Sequence, residues 1–376
     1  MTKQYDYLVV GAGFFGAVIA ERIATQLGKS VLVIDKRNHI GGNSYSEIDS
    51  ETGIEYHTYG THIFHTNSDH IWEYLTKFTK FNSYAHQVLT IHKDKVFQMP
   101  INLETINTFY NLNLKPYEVE EFLEKERNKE QYPNPKNLEE KAISLIGRPL
   151  YEAFIKGYTA KQWGKDPKEL PASIINRLPV RKNYNETYFN NAKYQGIPLD
   201  GYTKIFEKLL DHKLIEVKLE TDYFEFKDQI EIKEKTIYSG PIDRYFDFQF
   251  GELEWRTVYL KKEVQPYDDY QGTSVMNYAD QNVEWTRIHE PLHLHPERNY
   301  KNNKTIIFYE TSGYDPKDPY YPINNKNNQE IYRKYVELSK KESNVIFGGR
   351  LGNYAYYDMD QSIANALSTF ETKIKK

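Results

Sequence analysis

The stretch Tyr7-Leu8-Val9-Val10-Gly11-Ala12-Gly13-Phe14-Phe15-Gly16 joins a short apolar run of strand type to a helix through three spaced glycines. From Ala17 to Leu27 the apolar residues recur at helical spacing, and Gly28 stops them. Val31-Leu32-Val33-Ile34 is a second strand, and it ends in Asp35. Strand, glycine turn, helix, strand, acid is the order of a dinucleotide-binding unit, and each part has a physical task. Gly11 permits the tight turn, Gly13 lets the backbone approach a pyrophosphate, and Gly16 lets helix and strand pack closely. The helix N-terminus offers free N–H groups to the phosphates, and Asp35 can accept the adenosine ribose hydroxyls. A glycine-rich turn without a ligand is the competing reading, and the strand and acid on either side argue against it.

Just downstream, Asp35-Lys36-Arg37-Asn38-His39-Ile40-Gly41-Gly42-Asn43 places a glycine pair where NAD-dependent dehydrogenases usually continue into a helix. It looks like the second glycine motif of FAD-dependent proteins, with an ordinary glycine turn as the alternative. Val345-Ile346-Phe347-Gly348-Gly349-Arg350 reads as a late strand ending in Gly-Gly-Arg, followed by Asp358 and a helix from about Met359 to Thr372. The first and last segments of the chain are therefore expected to build one discontinuous α/β domain.

The 376 residues carry a net charge of −4, which gives no global attraction to nucleic acid or anionic membrane. No cysteine is present, so disulfides, thiolate nucleophiles and Cys-ligated metals are excluded. The N-terminal apolar run is too short for a signal peptide, and no 18-residue apolar stretch spans a membrane, so a cytoplasmic protein without membrane insertion is expected. Tyrosine is unusually frequent, at 33 residues, which suits stacking on bases and sugars but also fits a mere compositional bias. About Asn102 to Ile155 reads as helical, with one start at Lys115-Pro116-Tyr117-Glu118 and another capped by Asn137. From about Leu214 to Phe308 the pattern is mostly short strands, among them Lys213–Glu220, Lys235–Tyr238 and Thr257–Val264.

Seven further blocks carry a resemblance: Tyr59-Gly60-Thr61-His62-Ile63-Phe64-His65, Gly157-Tyr158-Thr159-Ala160-Lys161-Gln162-Trp163-Gly164, Pro179-Val180-Arg181, Tyr194-Gln195-Gly196-Ile197-Pro198, Tyr202-Thr203-Lys204, Gly240-Pro241-Ile242-Asp243 and Tyr356-Tyr357-Asp358-Met359. In this order they resemble the bacterial UDP-galactopyranose mutases over nearly the whole chain. The resemblance implies an FAD-binding Rossmann-like domain from residues 1–80, 200–240 and 340–376. It also implies a helical substrate-binding domain at 100–180 and an antiparallel sheet domain from 80–100, 181–200 and 241–340. It implies interconversion of UDP-galactopyranose and UDP-galactofuranose without net redox change, reduced FAD supplying N5 as nucleophile to the anomeric carbon. A homodimer supplying galactofuranose for cell-surface polysaccharide goes with it.

The residues implied to hold FAD are Gly11, Gly13, Phe15, Gly16, Asp35, Lys36, Gly42, Asn43, His62, Gly349, Arg350, Tyr356, Asp358 and Met359. Those implied for the UDP-sugar are Phe154, Tyr158, Thr159, Trp163, Arg181, Tyr194, Asn277, Arg287, Tyr321 and Tyr356, with Arg181, Arg287 and His62 as the catalytic set. Phe154 and Tyr158, four apart, are expected to share a helix face for the uridine, and core packing is the competing reading. Arginine's planar fork suits phosphate oxygens. Arg181 lies in a proline- and asparagine-punctuated loop, Leu178 to Asn191, that can close over substrate. His62 and His65 form a His-x-x-His pair, but no third ligand stands out and no metal is expected; His289, His293 and His295 read as a surface loop without a role. Asp35 stands where relatives usually have Glu. Ala85-His86-Gln87-Val88 and His57 are expected near the sugar pocket and leave open whether the sugar is galactose, N-acetylgalactosamine or a deoxy analogue. Two other function classes compete: an amine-oxidase-type flavin oxidoreductase, against which the arginine pair and uridine face argue, and a catalytically silent nucleotide-sugar binder.

Overall fold

The structure, a computed structural model, describes residues 3–177, 180–189, 191–300, 303–315 and 318–375. Gln4–Val10 lies at the middle of a five-stranded, all-parallel sheet, between Val31–Ile34 and Glu231–Tyr238. Ile215–Lys218 and Val345–Phe347 close its two edges. Parallel strands need crossovers, and helices on the faces bury them. Phe14–Arg22, Tyr202–Leu210 and Met359–Thr369 pack together on one face, around Phe14, Ile19, Ile205, Phe206, Ile363 and Phe370. The first of these helices runs on through a π-turn to Leu27 and ends at Gly28 with φ +65°, the left-handed stop expected there.

The helical unit comprises Leu103–Tyr110, Val119–Asn128, Leu138–Ile146 and a run from Arg148 through a π-turn at Tyr151–Lys156 into Gly157–Trp163. Asn102 and Thr105 form a reciprocal capping box, and Asn137 accepts from the Glu140 N–H at 2.9 Å. The start expected at Lys115–Glu118 falls later, at Val119, because residues 116–118 form a turn in which Glu118 accepts the Lys115 N–H.

The second large sheet has seven strands in the order Tyr321–Pro322, Trp255–Gln265, Thr305–Gly313, Arg287–His289, Val275–Tyr278, Val88–His92 and Lys95–Met99. It is not wholly antiparallel as expected: Val275–Tyr278 runs parallel to Val88–His92. No short turn joins these two strands, so nothing forces them antiparallel as it does in a hairpin. Residues 181–200, grouped with this sheet on the sequence, give it no strand among the described residues; Tyr194–Gly196 pairs instead with Phe64–Thr66. Two of the expected short strands, around 215 and 235, belong to the parallel sheet.

Candidate active site

The glycine motifs meet face to face. Gly11 has φ +103°, and a Cβ there would lie 2.2 Å from Ser239 Oγ. At Gly16 a Cβ would lie 1.9 Å from the Gly11 carbonyl oxygen, so the protein itself requires both glycines. Gly13 differs: an added Cβ would meet only Gly42 Cα, at 3.7 Å, and Gly41 O, at 4.0 Å. The protein does not need that position bare, whereas a pyrophosphate passing over it would. The Gly41 N–H donates to Ala12 O at 2.9 Å, which fixes the second glycine pair against the first. Asp35 accepts the Ala12 N–H at 2.8 Å through Oδ2 and the Arg37 N–H at 2.9 Å through Oδ1. It thus braces the turn, and each oxygen keeps a lone pair for a ribose hydroxyl. Lys36 follows on the exposed side. Arg37, overlooked on the sequence, donates to Asn43 Oδ1 at 2.9 Å and to Asp318 at 3.2 Å, and lies 4.2 Å from the Tyr59 ring centre.

The late segment forms the opposite wall. Phe15 lies under Gly348, where a Cβ would be 2.1 Å from its ring, and Gly349 takes φ +73°. Arg350 donates to Tyr320 O at 3.2 Å and lies 5.2 Å from the Tyr356 ring centre. Asp358 caps the helix that begins at Met359; its N–H donates to Gln361 Oε1 at 2.9 Å, and its carboxylate is 3.9 Å from His65 Nε2. His62 donates from Nδ1 to Gly60 O at 2.5 Å, so Nε2 is left as an acceptor. Burial, with some help from Arg350, pushes the His62 pKa down to about 4, so the ring is neutral at pH 7.

Tyr321 on the seven-stranded sheet stacks on Tyr356 beside this wall, and Arg287 on the same sheet is within electrostatic reach of Tyr158 in the helical unit, so these residues outline the substrate side of the candidate site, here termed the cleft. Arg287 donates from Nε to Glu310 Oε1 at 2.6 Å. Burial works against the Arg287 charge and Glu310 outweighs it, so the guanidinium stays protonated. Burial alone would raise the Glu310 pKa; Arg287 and His289 pull it down to about 2. Tyr158 and Tyr321 are both within electrostatic reach of Arg287, and Tyr321 stacks on Tyr356 at 5.4 Å. Burial pushes Tyr158 up to about 12 and raises Tyr321 and Tyr356, so all three are neutral hydroxyl donors. Asn277 sits directly across the strand pair from Arg287, and its buried Oδ1 has no hydrogen-bond partner among the described residues. Its neighbour in register, like the tyrosines, is the arginine expected to take the diphosphate.

Several expectations do not fall into this cleft. Tyr194 stacks on Trp72 at 4.6 Å and donates to Asp69 at 2.9 Å, on a ladder away from Arg287. Tyr188, 39% exposed, lies edge-on to the His86 ring and within electrostatic reach of Tyr158 and Tyr356. Phe154 is packed edge-on against Phe97, Phe109 and His92 and is 3% exposed, so it presents no open face for a base. Its π-turn carries it into the helical core. Thr159 is buried and Trp163 half-buried at the end of the helix. Lys161 donates to three carbonyls, Tyr278, Asp280 and Trp285, at 2.8–2.9 Å, and so pins this helix to the strand pair that carries Arg287.

Arg181 is not on the surface. It is 6% exposed, donates to Asn185 O at 2.8 Å and Tyr188 O at 3.4 Å, and leaves Nε without a partner among the described residues. Leu178, Pro179 and Asn190 of its loop lie outside the described residues. The three clustered histidines are not a surface loop either. His289 bonds Glu310 and Thr61, and His295 is 1% exposed beside Glu55 and Glu297. His293 sits between Asp269 and Glu290. His57 accepts the His62 N–H at 2.9 Å, under the cofactor-side loop; His86 is buried beside Tyr84 and Phe189, and burial pushes its pKa down to about 3.

Comparison with known proteins matches residues 153–356 to the family described as UDP-galactopyranose mutase, and residues 9–78 to the NAD(P)-binding Rossmann-like domain. A probable UDP-galactopyranose mutase of Klebsiella pneumoniae is 41% identical, over 97% of this chain and 93% of that protein. A dTDP-fucopyranose mutase of Escherichia coli is 39% identical, over 98% of both. The crystal structure of a reduced UDP-galactopyranose mutase superposes with a TM-score of 0.73 at 12% identity, covering 98% of this chain and 93% of that one, and so shares the fold. No helix among the described residues is long and apolar enough to cross a membrane. By sequence, the chain belongs to the UDP-galactopyranose mutase family.

Proposed function

We propose that the protein holds FAD between its two glycine motifs and the Gly348–Met359 wall and interconverts UDP-galactopyranose and UDP-galactofuranose. The observation that carries this is Arg287, held by one nitrogen to Glu310, its two terminal nitrogens without a hydrogen bond among the described residues and its guanidinium near Tyr158, Tyr321 and Asn277. That is a ready site for a diphosphate. Gly11, Gly13, Gly42 and Asp35 fit the pyrophosphate and ribose end of FAD, and Phe15, Arg350, Asp358 and the helix starting at Met359 fit the flavin end. When bound and reduced, FAD supplies the nucleophile, N5, for the anomeric carbon.

The chain's own residues then do three things. Arg287 and the neutral tyrosines donate to the diphosphate oxygens, and their bonds strengthen as UDP leaves and its charge grows. Arg181, which has no carboxylate partner among the described residues, exchanges its loop carbonyls for the same phosphates when the loop closes. His62 stays uncharged on the cofactor side and offers Nε2 as an acceptor. The two phosphate-seeking arginines favour this reading over an oxidase, which needs an apolar substrate channel. A homodimer acting in the cytoplasm for cell-surface polysaccharide accompanies it.

The test is to purify the protein, identify the flavin released on denaturation, and incubate the reduced protein with UDP-galactopyranose, UDP-N-acetylgalactosamine and dTDP-fucopyranose. A product of unchanged mass and altered retention with UDP-galactopyranose is expected, with reductant required but not consumed. Turnover of the dTDP sugar alone would leave the family standing and overturn the substrate; peroxide formation would overturn the reaction.

A further inference from the structure

A carboxylate beside a guanidinium usually takes two parallel N–H bonds. Glu310 does not. Its Oε1 accepts Arg287 Nε at 2.6 Å, and its Oε2 is taken by His289 Nε2 at 2.8 Å. Arg287 and His289 are two apart on one strand and so share a face, and Glu310 is the register partner of Arg287 on the next strand. Toward a carboxylate the ring must donate, so the proton is on Nε2, and Nδ1 accepts from the Thr61 hydroxyl at 2.7 Å. Thr61 lies in the segment that carries His62. A four-residue chain, Thr61, His289, Glu310, Arg287, therefore runs beneath the cleft, and His289 and Glu310 are almost wholly buried.

We propose that His289 is a positioning residue: by occupying the second oxygen of Glu310, with its tautomer set by Thr61, it prevents the carboxylate from chelating Arg287 and keeps both terminal nitrogens available to the substrate diphosphate. This rests on the reading that Arg287 binds that diphosphate. With His289 absent, Oε2 turns to Arg287, the pair becomes bidentate, and the arginine is withdrawn from its ligand. Nothing in this requires His289 to touch substrate.

The experiment is titration of the FAD-loaded protein with UDP by calorimetry, in His289→Phe, His289→Gln, Glu310→Gln and the His289→Phe/Glu310→Gln double variant. A lost charge-assisted bond predicts UDP binding roughly tenfold to a hundredfold weaker in His289→Phe. Gln can donate to Glu310 and accept from Thr61, so His289→Gln is expected within about threefold of the native protein. In the Glu310→Gln background His289→Phe should cost nothing further, because no carboxylate remains to chelate the arginine; general damage to the site would add in both backgrounds. Should His289→Phe fail to fold, Thr61→Val, which releases the tautomer, is expected to weaken UDP by about threefold. Native-like binding in His289→Phe, or a loss that persists in the double variant, overturns the proposal. Arg287→Ala separates the two readings: if it binds UDP normally, the diphosphate site is elsewhere and both fall. If it loses UDP while His289→Phe does not, only the role of His289 falls.

Discussion

The two arginines matched to one diphosphate are held in opposite ways. Arg287 stands on a sheet strand, neutralised by a buried carboxylate and aimed by it. Arg181 stands in a loop, less exposed than Arg287, with two backbone carbonyls as partners and, among the described residues, no carboxylate and one nitrogen unbonded. A buried charge with a partner is a fixed tool, and a buried charge without one is at a higher free energy and has a reason to move. On the function proposed above, the sheet arginine would set where the diphosphate sits, and the loop arginine would gain most when it arrives.

The sharpest way to break this contrast is to remove each side chain. Turnover should fall by about a hundredfold or more in both Arg287→Ala and Arg181→Ala. Stability should separate them. Arg287→Ala strands Glu310 and should cost about 3 kcal/mol, read as a clear drop in melting temperature. Arg181→Ala removes a buried charge that has no carboxylate partner among the described residues, and its melting temperature should hold or rise. Equal destabilisation would show that the loop arginine is as firmly anchored as the sheet arginine.

A smaller effect is expected in hydrogen exchange. With UDP at about ten times its dissociation constant, amides at 182–189 should gain up to about tenfold protection. Those of Arg287–His289 and Thr305–Gly313, already in the ladder, should change little. Protection gained equally by sheet and loop would mean that no local closure occurs.

On the cofactor side, a buried histidine makes stability depend on pH. His62 has a folded pKa of about 4 against an ordinary 6.5, because burial disfavours its charged form. Between those values the unfolded chain binds more protons, so stability rises with pH and is lost as pH falls from about 6.5 to 4. His62→Asn should make the melting temperature fall less steeply across that window than in the native protein, the remaining slope coming from His57 and His86, which burial lowers as well. The Glu310 contribution runs out lower, below the ordinary carboxylate pKa and towards about 2, so the two are separable. An unchanged slope in His62→Asn would show that the ring is not held neutral.

The glycine cradle was legible because its physics is local. Gly11, Gly16 and Asp35 are fixed by contacts within one strand-helix-strand unit, and the spacing alone reveals them. The substrate-side residues were named only by resemblance, and the sequence says least where the chain path matters. Tyr188 and Tyr194 both follow Arg181 in the chain, and no periodicity tells which one comes within reach of Tyr158 and Tyr356 and which one stacks on Trp72. Glu310 and His289 carry no motif, since their meeting depends on a strand register. Phe154 satisfied the spacing for a ligand face and equally for a core, and the π-turn settled it for the core.

The parallel sheet is assembled from three separated stretches, and the wall formed by Val345–Arg350 and the helix Met359–Thr369 is synthesised after every other part of the cofactor cradle. On a ribosome, the glycine turn emerges hundreds of residues before the segment that closes over it. Until then Phe15 lacks the Gly348 backbone above it and Gly348's strand is missing from the sheet edge. If the cofactor binds where proposed, its capture is therefore a late step in the making of this protein. The exposed edge of Glu231–Tyr238 waits unpaired through the interval, the point at which a nascent chain of this fold is most open to aggregation.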